Sequence, residues 1–175
     1  MTTGFDPERL LAALPYRPIP RASGMLDGYV PPLWRWPSLG PYNGFTGEER
    51  VETWQVSTWL RREGLLRLAS QCDLCGDRGR LGLHSEDYSD LERALTLCSG
   101  CHMALHRRFR WGDQWFRRLD RLHSIPSWAL NLDVSKTDLR GWLERNGNLV
   151  TASARLALPV LDSRANRPNP SFEKS

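Results

Sequence analysis

The sequence predicts an α+β fold that is mostly helical, with a small unit of two strands and a helix embedded among the other helices. One observation is a pair of cysteine motifs, Cys72-Asp-Leu-Cys75 and Cys98-Ser-Gly-Cys101, which are separated by 22 residues. The other is the pattern around them, which favours short strands at 80–84 and 94–97 and a helix that begins at Ser99. Apolar residues at helical spacing elsewhere predict the surrounding helices.

The cysteine motifs indicate a structural zinc site. Two residues between paired cysteines let both thiolates reach one ion, and two such pairs complete a tetrahedral shell. The sequence has no other cysteine, so the predicted ligands are Cys72, Cys75, Cys98 and Cys101. Two disulfides or free thiols are the alternative, but this spacing is typical of metal sites in a reducing compartment. We therefore predict a structural Zn²⁺ and a cytoplasmic protein.

The composition is typical of a soluble globular protein. The chain has 175 residues, of which 40% are hydrophobic and 25% are charged. No apolar run approaches the roughly 18 residues that cross a bilayer, and the N-terminus lacks the pattern of a secretion signal. We therefore expect no membrane partner. The net charge of +4 is compatible with a nucleic-acid partner but does not require one.

The chain divides into five predicted segments. They are a Pro/aromatic-rich arm, an N-terminal helix, a zinc-binding core, a helical extension and a disordered tail, at residues 1–45, 46–68, 69–110, 111–161 and 162–175. The arm holds eight of the twelve prolines, so we expect it to be irregular. Its aromatic residues argue against free disorder and favour a strap across the core. A partner-binding segment is the second interpretation of this arm.

Helical spacing and capping patterns predict four helices, at about 47–62, 99–110, 113–123 and 136–145. The first is opened by the capping-box pattern Thr46-Gly-Glu-Glu49, and the last by Ser135-x-x-Asp138. Residues 149–161 stay ambiguous between strand and helix.

Two strands, a helix and a metal, in that order, resemble the HNH (ββα-metal) nuclease family in its zinc-ribbon-supported form. Besides the cysteine pairs, the resemblance is carried by Leu83-His84-Ser85-Glu86-Asp87-Tyr88 and Cys101-His102-x-x-x-His106. It covers about residues 68–110, a quarter of the chain. It implies a site where a histidine activates water to attack phosphorus, while a divalent cation such as Mg²⁺ or Mn²⁺ stabilises the developing charge.

The family's motif places a metal ligand and then the general-base histidine at the end of the first strand, where this chain has His84 and Ser85. The closing metal-ligand histidine is matched by His106, whereas the loop-steadying asparagine is replaced by Arg93. The resemblance therefore makes His84 and His106 candidate catalytic residues and candidate ligands of a second metal. Without the base, it implies nuclease activity that is absent or weak. We expect His102 to pack or to form hydrogen bonds, on a different helix face from His106.

Two alternatives stay open at this site. A one-residue shift in the turn would make His84 the base and Glu86 or Asp87 a metal ligand, giving an active metal-dependent HNH endonuclease that uses Mg²⁺, Mn²⁺ or a second Zn²⁺. His84 and His106 could instead form a hydrogen-bonded pair without metal. We expect Asp87 and Tyr88 to fix the turn by hydrogen bonding.

A basic stretch at 107–121 contains six arginines against two aspartates, with aromatic residues between them. Arginines pair with phosphates, and aromatic faces stack on bases. We therefore predict a nucleic-acid partner, bound by Arg107, Arg108, Arg110, Arg117, Arg118 and Arg121. A solvated amphipathic helix is the alternative. A third interpretation of the whole chain is a protein–protein interaction module, in which the Trp/Pro-rich arm contacts a larger bacterial or phage assembly.

Overall fold

A computed structural model of the protein describes residues 5–21 and 25–157. Over these residues the chain forms a small antiparallel sheet and seven α-helices, which confirms the mostly helical α+β class. The helices are α1 (Pro7–Ala13), α2 (Gly47–Arg62), α3 (Ser99–Arg107), α4 (Gly112–Leu119), α5 (Ser127–Leu130), α6 (Leu139–Arg145) and α7 (Ala152–Ala157). The tail predicted at 162–175 lies outside the described residues. None of the described helices combines the length and apolarity required to cross a bilayer.

The sheet consists of two strands, β1 (Leu81–His84) and β2 (Leu95–Cys98), which pair antiparallel and agree with the predicted strands to within one residue. Their register sets Leu81 opposite Cys98, and His84 opposite Leu95. All four residues of β2 are buried, and α3 begins immediately after it. The end of β1 therefore lies close to α3, since the helix contacts both strands.

Helix α2 begins with the predicted capping box. The Thr46 hydroxyl accepts a hydrogen bond from the Glu49 backbone amide at 3.2 Å, and the Glu49 carboxylate accepts one from the Thr46 amide at 2.7 Å. Val56 and Leu60 on its inner face are fully buried. The Thr53 hydroxyl donates to the Tyr88 carbonyl at 2.7 Å. This bond ties α2 to the loop after β1.

The N-terminal arm packs against the core, but it is not irregular throughout. Helix α1 begins after Asp6, whose carboxylate accepts a hydrogen bond from the Arg9 amide, with Pro7 in its first turn. Proline is compatible with a first helical turn because its missing N–H has no partner there. Leu10 and Leu14, on the inner face of this segment, are buried.

One of the contacts that hold the arm after α1 is made by a buried carboxylate. Glu92 accepts hydrogen bonds from the Ile19 backbone amide and from the Arg21 guanidinium, both at 2.9 Å. The Arg93 guanidinium donates to the Leu11 carbonyl at 2.7 Å. Arg93 therefore binds the arm.

The helical extension differs from the prediction at its boundaries. Helix α4 ends at Leu119, and α6 begins after Asp138 rather than after Ser135. The reason is local: Asp133 accepts hydrogen bonds from the Ser135 amide and hydroxyl, so Ser135 belongs to a turn. Asp138 caps α6 instead, accepting from the Gly141 amide at 2.9 Å. In the ambiguous region 149–161, Ala152–Ala157 form a helix.

Candidate metal centres

The four cysteines converge in one cluster, as the spacing of the motifs predicts. Their sulfur atoms all lie within 4.8 Å of one another, and Cys101 and Cys75 approach to 3.4 Å. Four sulfurs bound tetrahedrally to one zinc ion at 2.3 Å would be about 3.8 Å apart. All four are free thiols rather than disulfides. The cluster could therefore bind a metal such as zinc.

Three local structures bring these sulfurs together. Cys72 and Cys75 lie on a turn that is closed by a hydrogen bond from the Gly76 amide to the Cys72 carbonyl at 2.9 Å. Gly76 has a φ of 73°, which favours glycine at this position. Cys98 ends β2, and Cys101 lies in the first turn of α3. The N-terminus of a helix favours negative charge, and the Arg118 guanidinium donates to the Cys101 sulfur at 3.1 Å.

A second cluster consists of three histidines. His84 ends β1, and His102 and His106 lie one turn apart on α3. Their ring centroids are separated by 4.8–5.0 Å, and one ring nitrogen from each lies within 4.8 Å of the others. The predicted pair His84 and His106 is therefore brought together. His102 completes the cluster, so the expectation that it faces away from His106 is wrong.

The histidines of α3 are neutral at physiological pH. Burial, together with the neighbouring His84 side chain, lowers the pKa of His102 to about 4. The same causes lower the pKa of His106 to about 3. Neutral imidazole is the form that binds metal ions. His102 and His106 could therefore bind a metal without first losing protons.

A buried carboxylate fixes the orientation of His84. Glu86 accepts hydrogen bonds at one oxygen from His84 Nε2 and from the Tyr42 hydroxyl, both at 2.8 Å. Its other oxygen accepts from Asn43 Nδ2 at 2.6 Å and from the Arg108 guanidinium at 2.8 Å. Although burial opposes ionisation, the charge of Arg108 and these donors hold the pKa of Glu86 well below its usual range.

This network leaves one nitrogen of His84 free. Because the ionised Glu86 accepts a hydrogen bond from Nε2, that nitrogen carries a proton, and Nδ1 is the ring nitrogen left to bind a metal. His84 Nδ1 is buried and has no hydrogen-bond partner within the described part of the chain. An orphaned, buried acceptor next to two neutral imidazoles fits a metal ion.

The two carboxylates that follow His84 are already engaged. Each Glu86 oxygen accepts two hydrogen bonds from the protein. Asp87 accepts hydrogen bonds from the Ser89 amide and hydroxyl at 2.8 and 2.6 Å, so it fixes the turn as predicted. Burial raises the pKa of Asp87. The alternative in which Glu86 or Asp87 supplies a metal ligand is therefore not favoured by this arrangement.

The histidine cluster lines a concave pocket of about 340 Å³. Its other walls come from the arm and from α2, and they include two arginines, Arg50 and Arg61, and two tryptophans, Trp34 and Trp54. Among the described residues that line it, none is acidic. The pocket is therefore suited to an anionic ligand. We call it the histidine pocket.

The predicted arginines occupy more than one environment. Arg107, Arg117, Arg118 and Arg121 line a separate groove of about 580 Å³ between α3 and α4, together with Trp111. We call this the arginine groove. Arg110 lies against the Trp111 ring, 4.8 Å from its centroid. His102 and His106 line the histidine pocket rather than this groove, so the two concave sites lie on different faces of α3.

Arg108 does not belong to this surface. It is only 2% exposed, and its guanidinium forms the buried ion pair with Glu86 and donates to the Asp133 carbonyl at 2.8 Å. A residue so placed cannot contact nucleic acid, which corrects its predicted role. The Arg118 guanidinium already donates a hydrogen bond to the Cys101 sulfur. Of the six arginines predicted to bind nucleic acid, four are exposed: Arg107, Arg110, Arg117 and Arg121.

Sequence reasoning missed His102 and Arg108 as parts of the histidine site, and it considered Glu86 only as a possible metal ligand. The signal for His102 was present, because residues four apart on a helix share a face. Glu86 and Arg108 left no comparable signal, since their pairing depends on how the loop after β1 meets the end of α3.

Comparison with models of protein families, with curated proteins and with solved structures finds no match to this chain.

Proposed function

We propose that this protein is a zinc-stabilised, HNH-like hydrolase that cleaves phosphodiester bonds of nucleic acid with a divalent metal held by His84, His102 and His106. The observation that carries the proposal is the convergence of three imidazoles in a pocket that is lined by arginines and not by carboxylates. The order strand, strand, helix around this cluster agrees with the resemblance to the ββα-metal family.

The cysteine cluster has a structural role in this proposal. It joins the turn at Cys72, the end of β2 and the first turn of α3. A unit of two four-residue strands and one nine-residue helix buries little apolar area by itself. A zinc ion bound by four thiolates supplies the missing stability, since its binding free energy is folding free energy.

The histidine cluster has the catalytic role. A divalent cation held there would act as a Lewis acid on the phosphoryl group and would lower the pKa of a water molecule to near neutrality. Ser85, at the place of the family's general base, cannot accept a proton at neutral pH. The proposal therefore assigns no protein residue as base, and Glu86 orients His84 from behind.

Arg50 is the residue best placed to bind the substrate's phosphate. Its guanidinium lies 5.4 Å from the Tyr42 ring centroid and 5.3 Å from that of Tyr88. Its positive charge contributes to the lowered pKa of His106. Its Nε is buried without a hydrogen-bond partner among the described residues. Because Arg50 lines the pocket beside the histidines, its guanidinium would pair with a phosphate oxygen.

A second candidate is a protein that binds nucleic acid without cleaving it. The observation that favours it is Ser85, which lines the histidine pocket where the family has its base. In that case the arginine groove carries the binding, through contacts between its arginines and the phosphate backbone. The cysteine cluster keeps its structural role in both candidates.

The test is a cleavage assay on zinc-loaded protein with supercoiled plasmid, single-stranded DNA and RNA. Each substrate is incubated with Mg²⁺, Mn²⁺ or Ni²⁺, and the His84→Ala/His106→Ala variant serves as the inactive comparison. His123→Ala is the matched control, because His123 is an exposed histidine outside the cluster. We expect cleavage by the parent and the control only. Binding of a second metal without cleavage would favour the second candidate, and no second metal at all would overturn the metal assignment.

A further inference from the structure

We propose that the histidine pocket takes a single-stranded nucleic acid, whose unpaired base stacks on the indole ring of Trp54 and meets that of Trp34 edge-on. This inference rests on the proposed function, because it names the substrate class of the same pocket. Both tryptophans are half-buried and line the pocket together with the three histidines. The base is therefore held beside the histidine cluster and the two pocket arginines.

The tryptophans form a fixed wall. Trp34, Trp36 and Trp54 pack edge to face, with ring centroids 4.9–5.2 Å apart. The indole N–H of Trp34 donates to the Pro37 carbonyl at 3.2 Å. The Gln55 amide donates to the Pro32 carbonyl at 2.9 Å, which ties this part of the arm to α2. Because the rings are held in place before a ligand arrives, stacking on them costs little side-chain entropy.

The chemistry of the lining selects a nucleotide over other ligands. Arg50 and Arg61, with no acidic residue among the described lining residues, favour an anion. A simple inorganic anion would leave the indole surfaces of Trp34 and Trp54 unused, whereas a purely apolar ligand would leave the arginines unpaired. A nucleotide has a π-face for the tryptophans and a phosphate for the arginines. A nucleotide can therefore contact both the tryptophans and the arginines of the pocket.

The position of the histidines favours a single strand over a duplex. The His84 side chain is only 1% exposed, and it lies in a pocket of about 340 Å³. In a duplex the bases stack on one another and present only their edges in the grooves. An aromatic side chain can stack on a base only where that base is unstacked. Contact with the tryptophan wall thus requires an unpaired nucleotide.

The test measures binding without turnover, by fluorescence anisotropy of a labelled oligothymidine, an oligouridine and a duplex of matched length. Three proteins are compared: the parent, Trp54→Leu and Trp54→Phe. Leucine keeps the apolar packing but removes the stacking face, and phenylalanine keeps the face. We expect Trp54→Leu to weaken single-strand binding by about 5- to 150-fold, the equivalent of about 1–3 kcal/mol per stacked base. Trp54→Phe should remain close to the parent.

The outcomes separate this inference from the proposed function. Equal binding of single strand and duplex, or unchanged single-strand binding by a folded Trp54→Leu protein, would overturn the inference while cleavage could persist. Single-strand binding that depends on Trp54 in a protein that never cleaves would overturn the proposed hydrolysis and keep the inference. Circular dichroism of each variant establishes that it is folded. The two oligonucleotides distinguish DNA from RNA, since only the latter carries a 2′-hydroxyl.

Discussion

Glu86 and Arg108 form a buried ion pair at 2.8 Å, and the same carboxylate accepts a hydrogen bond from His84 Nε2 at 2.8 Å. Both charged side chains are almost fully shielded from solvent, with exposed fractions of 0% and 2%. Burying two charges is costly, and such pairs often stabilise a fold no better than apolar residues. We infer that the pair has a role beyond stability, which is to orient His84 through the shared carboxylate.

The first prediction concerns this orientation. Glu86→Gln should lower the affinity of the histidine cluster for Zn²⁺ or Mn²⁺ by about 10- to 100-fold, as expected for loss of a carboxylate behind a metal-binding imidazole. Isothermal titration calorimetry on protein whose cysteine site is already zinc-loaded measures this affinity. Asp87→Asn is the matched control, because Asp87 is a buried carboxylate in the same turn that bonds Ser89 instead.

Glu86→Gln also leaves Arg108 as an unpaired buried charge, which should destabilise the fold by about 3–5 kcal/mol. A double variant, Glu86→Leu with Arg108→Met, removes both charges and should recover much of that stability. Its metal affinity should stay low, because the carboxylate that orients His84 is then absent. If the double variant bound metal as well as the parent, the ion pair would have no role in positioning His84.

The second prediction concerns the cysteine cluster. Cys98→Ala should abolish tight zinc binding and unfold the strand–helix unit, because Cys98 joins β2 to α3 and the metal supplies the stability of this region. Native mass spectrometry counts the bound zinc, and far-UV circular dichroism follows the helices. Ser99→Ala, at the exposed neighbouring position, should change neither. A zinc-free but folded Cys98→Ala protein would contradict the assignment.

The elements whose sequence signals are local could be predicted from the sequence. The capping box at Thr46, the two strands and the helix that begins at Ser99 depend on contacts between residues close in the chain, and the structure has them within one or two residues of their predicted starts. Helix α1 was missed because the prolines of the arm suggested irregular structure, although Pro7 occupies a position where proline is favourable.

The candidate site was only partly predictable, because its parts come from distant segments. Tyr42 and Asn43 from the arm reach Glu86, and Arg50 from α2 faces the histidines. No pattern in the sequence links these positions. Arg108 shows the opposite problem: it lies within a run of surface arginines, yet the end of α3 turns it inward.

The third prediction concerns pH. The pKa of His102 is lowered to about 4 and that of His106 to about 3, whereas an unfolded histidine titrates near 6.5. As the pH falls below about 6.5, the unfolded chain takes up protons that the folded protein does not. The free energy of unfolding should therefore be highest above this pH and should decrease towards pH 4. The affinity of these imidazoles for a metal ion should also decrease as the pH falls.

Urea unfolding at about pH 7.5 and about pH 5 measures this dependence. Other groups, the cysteine thiolates included, also respond to acid, so the comparison between variants isolates the histidines. The loss of stability between the two pH values should be smaller in His102→Gln/His106→Gln than in the parent. His123→Gln should behave like the parent, because His123 is exposed. An equal loss in all three proteins would contradict the prediction.

The fourth prediction concerns the arginine groove. If its arginines contact phosphates, the logarithm of the affinity for single-stranded DNA should fall linearly with the logarithm of the salt concentration. Arg117→Ala and Arg121→Ala should each reduce the slope by about 0.7, the value expected for one phosphate contact. Arg145→Ala is the control, since Arg145 is a 67%-exposed arginine on α6, away from the groove. Arg108→Ala should destabilise the fold instead, because it leaves the charge of Glu86 buried and unpaired. Equal slopes for the parent and both groove variants would mean that these arginines are only solvated, and that the histidine pocket alone binds the nucleic acid.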